Sequence, residues 1–204
     1  MKLRKWLSDL WVRSDRFDLQ NVNLAPDIGN VRQYSPRDHE SCLAIFESND
    51  GDHLREESEE DFRNFLLNDS VLKLVVEKDG QVSGVGGVCI SSKETEGAWL
   101  SFGMVHADLQ NQGVGTKLLL SRLALLPQPD AYWQILMTSL EASVDFYKRF
   151  GFEYFGQFPS DDGKSTVDVY YSILTKNAMA SVRSWFMHSM HGRDLDSISV
   201  PRWP

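Results

Sequence analysis

Only two cysteines, Cys42 and Cys89, occur among 204 residues, too few for a disulfide framework. No run approaches the ~18 consecutive apolar residues that span a bilayer. The N-terminus, Met1-Lys2-Leu3-Arg4-Lys5-Trp6-Leu7-Ser8-Asp9, meets an acid before an apolar leader segment forms. A secretory signal is therefore not expected, and both thiols are expected to stay reduced in a cytoplasmic protein. Basic residues are outnumbered, 21 Lys and Arg against 29 Asp and Glu, and they form no stripe, so nucleic acid is not an expected partner. Metal ligation is not indicated either: His188-Ser189-Met190-His191 has no acid at ligand spacing. Repeats and low-complexity tracts are lacking. What is present is a chain of ordinary domain size, 25% charged and able to bury a core.

The excess acid is concentrated. Between Glu47 and Asp61 stand eight acids (Glu47, Asp50, Asp52, Glu56, Glu57, Glu59, Glu60 and Asp61) against Arg55, net −7 in a chain of −8. Residues 2–17 place Leu3, Trp6, Leu7, Leu10 and Trp11 at helical spacing. This helix is expected to dock on its own domain or on a dimer mate rather than on a membrane surface, so a homodimer is among the expected partners. Asn21 to Asn30 reads as a linker, with Pro26 and Gly29 as breakers.

From residue 28 a regular alternation begins. A strand at 28–34 is followed by Ser35-Pro36, a helix start with Ser as N-cap, and His39, Cys42, Leu43 and Phe46 share one helical face. Asn49-Asp50-Gly51 stops that helix, and a second begins near Ser58 with Phe62, Phe65 and Leu66 as its apolar face. Three strands follow, at 71–77, 81–90 and 98–105, the first two joined by an Asp79-Gly80 hairpin turn. A helix over 113–126 is closed by Pro127 and Pro129. A buried strand at 132–138, a short helix over 142–150 ended by Gly151, and strands at 152–155 and 166–175 complete the series. Beyond it, Trp185, Phe186 and Met190 suggest a docked helix, and residues 200–204 an extended end.

Two glycine clusters interrupt the pattern. Gly84-Val85-Gly86-Gly87 lies inside a strand, where it predicts a bulge or a close approach by another backbone. Gln110-Asn111-Gln112-Gly113-Val114-Gly115 lies between a strand and a helix. There several backbone N–H groups and the positive end of the helix dipole converge on one spot, a site for phosphate. It is not a P-loop, since Gly115 is followed by Thr116-Lys117 in the wrong order and the leading glycine is missing. Nor is it a dinucleotide fingerprint, whose third glycine position is Leu118.

The remaining pattern, Arg or Gln, two residues, Gly, one residue, Gly or Ala, resembles the coenzyme A pyrophosphate loop of the GNAT acyltransferase superfamily. Ser143-Val144-Asp145-Phe146-Tyr147-Lys148-Arg149-Phe150-Gly151-Phe152 resembles that family's late motif, an aromatic-Tyr pair closed by an apolar-Gly-aromatic step. The two stand in the family's order, and the resemblance covers residues 28–175, leaving 1–27 and 176–204 as extensions. It implies an α/β GNAT fold: a mixed, mostly antiparallel twisted sheet, splayed between its fourth and fifth strands, with helices on both faces. It also implies an N-acetyltransferase using acetyl-CoA as cosubstrate and acetylating a small-molecule or peptide amine; the other reading is a regulatory module that binds acyl-CoA without catalysis.

The site residues follow from the same resemblance. Gln110, Asn111, Gln112, Gly113, Val114, Gly115 and Thr116 would cradle the pyrophosphate. Met104 and Val105 would offer main-chain groups to the pantetheine arm and an N–H to the thioester oxygen. Tyr147 would protonate the departing thiolate, an exchange between a phenol near ~10 and a thiol near ~8.5. Leu140 departs from the pattern, since many relatives carry a cofactor-contacting Asn there; Ser139 or Ser143 could substitute. The fourth and fifth strands contain no acid to serve as base. His106 is a candidate for that role, and Glu47, Asp50 and Asp52 (with His53) are candidates for recognising a cationic amine, with a solvated acidic loop as the other reading.

Overall fold

The computed structural model describes residues 17, 19, 29–49, 56–91, 97–139, 141–160, 165–189 and 198–203. The N-terminal amphipathic helix, most of the linker, Asp50, Asp52, His53, Leu140, Met190 and His191 lie outside the described residues. Among the described residues no helix is long and apolar enough to cross a membrane.

The chain runs β1 (Asn30–Gln33), α1 (His39–Ser48), α2 (Glu56–Leu67), β2 (Leu72–Lys78), β3 (Gln81–Ser91), β4 (Gly97–Val105), α3 (Val114–Ala124), β5 (Tyr132–Thr138), α4 (Glu141–Lys148), β6 (Glu153–Pro159), β7 (Thr166–Thr175), α5 (Lys176–Ser189) and β8 (Arg202–Trp203). One sheet takes the order β1-β2-β3-β4-β5-β7-β6, with β8 paired to β3 off this path. Neighbours on the path are antiparallel apart from β4 and β5, which are parallel. This is the expected α/β arrangement. The expected last strand pair is longer than its sequence suggests: β6 continues past Phe155 to Pro159, because its pairing with β7 persists through a bulge at Phe155. Helix α3 is shorter, ending at Ala124, with Leu125 as its C-cap.

Each sheet face has its own core. Helices α1 and α2 cover one, burying Cys42, Ile45, Phe46, Phe62 and Phe65 against Val75, Val85 and Cys89. Helices α3, α4 and α5 cover the other, where Leu118, Leu119, Leu123, Tyr147, Phe150 and Phe186 pack together. Both thiols are buried and unbridged, and burial pushes that of Cys42 up to about 12 and raises that of Cys89.

The entry to α1 is fixed electrostatically. Ser35 caps a 3-10 turn, Pro36–Asp38, and the Asp38 carboxylate accepts the Ser35 N–H at 2.8 Å. Arg32 donates to both Asp38 oxygens, at 2.6 and 2.8 Å, and to Glu77 at 2.7 Å, tying β1, β2 and α1 together. Arg32 holds the Asp38 carboxyl below its ordinary range. At the far end of the chain, β8 lies parallel to β3 with Ile90 opposite Arg202, and the Ile90 N–H donates to Pro201 at 2.9 Å.

Candidate active site

The sheet opens where β4 and β5 part. Gly97–Leu100 pairs with Gln134–Met137, and past Leu100 the two strands share no register. β4 runs on to Val105, held on its other side by β3, while Thr138 of β5 pairs only with Val169 of β7. The backbone of residues 101–105 therefore borders a gap.

A bulge shapes that border. Met104 pairs with Val85 and Ser101 with Gly87, so Phe102 and Gly103 together oppose Gly86. Phe102 takes φ 45°, a region bulky residues avoid. Its ring is gripped by Phe62 and Phe65, with centroids at 5.4 and 4.8 Å, so packing from α2 holds the backbone in this state. The glycine cluster of β3 thus does form a bulge. Backbone also approaches it closely: a Cβ at Gly84 would lie 3.2 Å from the Met104 carbonyl oxygen and one at Gly86 3.2 Å from Gly103 Cα, while at Gly87 the nearest groups are side chains, the Phe65 ring at 2.5 Å and Val71 at 2.6 Å.

After β4 the chain turns through Ala107–Leu109 into α3. Gly113 is the N-cap of α3 at φ 87°, a conformation that glycine adopts without penalty. At a helix start such as this the N–H groups of Val114, Gly115 and Thr116 have no acceptor within the helix. A Cβ at Gly115 would meet the Phe146 ring at 3.4 Å, so α4 closes in on this end of α3. The carboxamide of Gln110 turns toward α1, donating to Asn49 Oδ1 at 2.6 Å, and Gln112 donates to the Asp108 carbonyl at 3.0 Å.

Asn49, read from the sequence only as part of a helix stop, and Ser48 before it are the links that hold this loop. Asn49 Nδ2 donates to the Val105 carbonyl at 2.9 Å and to Ile45 at 2.7 Å, and Ser48 Oγ accepts the Ala107 N–H at 3.1 Å. One of the two main-chain groups of Val105 is thereby engaged. His106 caps the 3-10 turn, its Nδ1 accepting the Asp108 N–H at 3.4 Å. Glu47 is exposed on the last turn of α1, and Ser139 and Ser143 bond each other at 2.7 Å between β5 and α4. Among the described residues no group of three His, Cys, Asp or Glu side chains is placed to hold a metal ion.

Tyr147 comes in from the other side of the gap. It is buried in the last turn of α4, set edge-on by Phe146 and Phe152 with centroids at 4.9 and 5.5 Å. Its hydroxyl lies 2.8 Å from where a Cβ on Gly103 would stand, and Gly103 itself is exposed. Beside it is a residue that the sequence reading passed over. Arg122 of α3 is 1% exposed, and its guanidinium reaches the same point, with Nη2 2.9 Å from it. The signal was its spacing, four residues from Leu118 and eight from Val114 on the apolar face. A cavity lined by Tyr34, His39, Lys73 and Pro201 lies on the β1–β2 side and gathers none of these groups.

A family model described as the acetyltransferase (GNAT) family matches residues 39–152, more than half of the chain. The chain belongs to the GNAT acetyltransferase family. Solved structures share its fold. A GNAT acetyltransferase from Staphylococcus aureus Mu50 aligns at TM-score 0.56 and 17% identity, over 71% of this chain and 98% of that one. The ribosomal-protein-S18-alanine N-acetyltransferase of Escherichia coli aligns at 0.51 and 17%, over 71% and 92%. An aminoglycoside 6'-N-acetyltransferase complexed with coenzyme A aligns at 0.54 and 14%, over 72% and 96%. No curated relative matches the chain by sequence. The family membership carries acyl transfer from coenzyme A to an amine in general terms, and the expected splay between the fourth and fifth strands of the GNAT fold is present.

Proposed function

We propose that this GNAT protein transfers an acetyl group from acetyl-CoA to a primary amine by direct attack, with residues 28–175 as the catalytic unit. The observation that carries the reading is the meeting of the Tyr147 hydroxyl with bulged Gly103 at the border of the β4–β5 gap, next to the open N-terminus of α3. In this reading the pyrophosphate sits on the N–H groups of 113–116, and the pantetheine arm runs along β4 at Met104 and Val105. The amine nitrogen attacks the thioester carbonyl carbon, and a β4 N–H stabilises the developing oxyanion. The C–S bond then breaks, the Tyr147 proton passes to the thiolate, and the proton lost by the amine leaves through His106 or water. Glu47 and the neighbouring acids would favour a cationic acceptor, either a small amine or a peptide amine. Because β4 and β5 carry no acid, a binding module without turnover is the second reading.

Acetyl-CoA binding comes first in both readings. At one hundred times its dissociation constant it should stabilise the native protein by about 2.7 kcal/mol. That corresponds to a midpoint rise of roughly 5 °C or more for a chain of this size. ATP and NADH should raise the midpoint much less, and no rise with saturating acetyl-CoA would remove the cofactor assignment.

A further inference from the structure

We infer that Arg122 is a positioning residue for Tyr147: its guanidinium donates to the phenol oxygen and so directs the phenol proton into the β4–β5 gap. This rests on the acid role given to Tyr147 above. A guanidinium is costly to bury without a counter-charge, and among the described residues no carboxylate pairs with Arg122. Its hydrogen bonds go to the Gly87 carbonyl at 3.3 Å and the Leu118 carbonyl of its own helix at 3.4 Å, while its Nη2 and the Tyr147 hydroxyl converge on the point where a Gly103 Cβ would stand. Burial pulls its affinity for a proton below the ordinary value, and the Tyr147 oxygen opposes that.

The sheet is cut away to admit it. A Cβ at Gly86 would stand 3.0 Å from Nη1 and 3.1 Å from Cζ, and a Cβ at Gly103 would stand 2.9 Å from Nη2. The bulge that opens β4 thus also makes the chamber in which the cation meets the phenol.

Chemistry supplies the direction. A guanidinium has donors and no acceptor, so in the inferred contact the Tyr147 oxygen accepts and its own hydrogen points elsewhere. The exposed backbone of Gly103, against which the hydroxyl lies, marks the gap as that opening. When the proton leaves, the negative charge forms on an oxygen already facing a fixed cation.

The test is a double-mutant cycle between Arg122→Met and Tyr147→Phe, with Arg122→Lys as the charge-conserving variant. Turnover is read as coenzyme A release with the best amine, or with water as acceptor where no amine is taken. Arg122→Met should lower kcat by about 10- to 100-fold, somewhat less than loss of a direct oxyanion donor. Acetyl-CoA KM should change by less than about twofold, and Arg122→Lys should recover part of the rate. In the Tyr147→Phe background, Arg122→Met should slow turnover by less than about threefold, since there is no phenol left to position. An undiminished kcat in Arg122→Met, or an equal loss in both backgrounds, would overturn the inference. Should Arg122→Met not fold, Gly86→Ala pushes on the guanidinium from behind and enters the same cycle with the same expected coupling. Wild-type turnover by Tyr147→Phe would overturn the acid assignment itself and this inference with it. Slow turnover there with additive losses overturns the Arg122 role alone.

Discussion

Gly103→Ala is the smallest change that disturbs the proposed chemistry while adding and removing no charge. The new methyl would stand 2.8 Å from the Tyr147 hydroxyl and 2.9 Å from Arg122 Nη2. To regain an ordinary contact of 3.4 Å, the hydroxyl must retreat by about 0.6 Å and the guanidinium by about 0.5 Å. Both lie at the ends of side chains, so the fold should absorb the change at an overpacking cost of about 1–3 kcal/mol. A midpoint lower by roughly 2–10 °C would register it. Catalysis has less tolerance, because misplacing a reacting group by ~1 Å can cost 10²-fold. A displacement of this size should reduce kcat about tenfold. In the proposed reading the pyrophosphate sits at the other end of the site, so acetyl-CoA affinity should fall far less than kcat. Calorimetric titration with acetyl-CoA and initial rates of coenzyme A release, measured on one preparation, separate the two effects. Wild-type kcat in a protein whose midpoint has dropped as expected would show that the position of the Tyr147 hydroxyl does not matter, and the reasoning would fail.

Two other perturbations probe the loop and the frame. Gly113 stands at φ 87°, so Gly113→Ala should cost about 1–2 kcal/mol in stability and weaken acetyl-CoA binding; unchanged affinity would place the pyrophosphate elsewhere. Asp38→Asn leaves Arg32 half-paired beside a buried amide and should cost about 2–4 kcal/mol by urea unfolding at pH 7. The folded pKa of Asp38 is lowered, so its contribution is complete above the unfolded value near ~3.9 and is lost as pH falls through the folded value. Wild type should therefore lose its advantage over Asp38→Asn in that acid window; a gap between them that stays constant to pH 2 would refute the assignment.

The order of elements was legible in the chain because its signals are local. Ser35-Pro36 starts a helix, Asp79-Gly80 turns a hairpin, and Pro127 ends a helix whatever surrounds them. The glycine loop was legible for the same reason, since Gly113 meets a backbone need within one turn. The features that shape the gap are not local. The φ of Phe102 is set by Phe62 and Phe65, nearly forty residues away, and nothing in Ser101-Phe102-Gly103 announces it. Asn49 looks like a helix terminator and is one, yet its carboxamide also ties α1 to Val105 and Gln110. Arg122 stood on an apolar helical face, where an arginine is ordinarily read as reaching out past the core. Only the glycines of two different strands make room for it inside. The pairing of β8 with β3 was equally hidden, because two residues carry too little pattern to predict a parallel partner.

The central claim is that the β4–β5 gap presents acetyl-CoA to an amine. Its most direct test is coenzyme A release from acetyl-CoA by the wild-type chain across a panel of small amines and peptides with free amines, each product confirmed by a mass increase of about 42 Da for one acetyl group. The account predicts amine-dependent release with at least one acceptor, and a fall of about 100-fold or more when Tyr147→Phe replaces wild type. Tight acetyl-CoA binding with no amine-dependent release across the whole panel would contradict it in favour of the binding module.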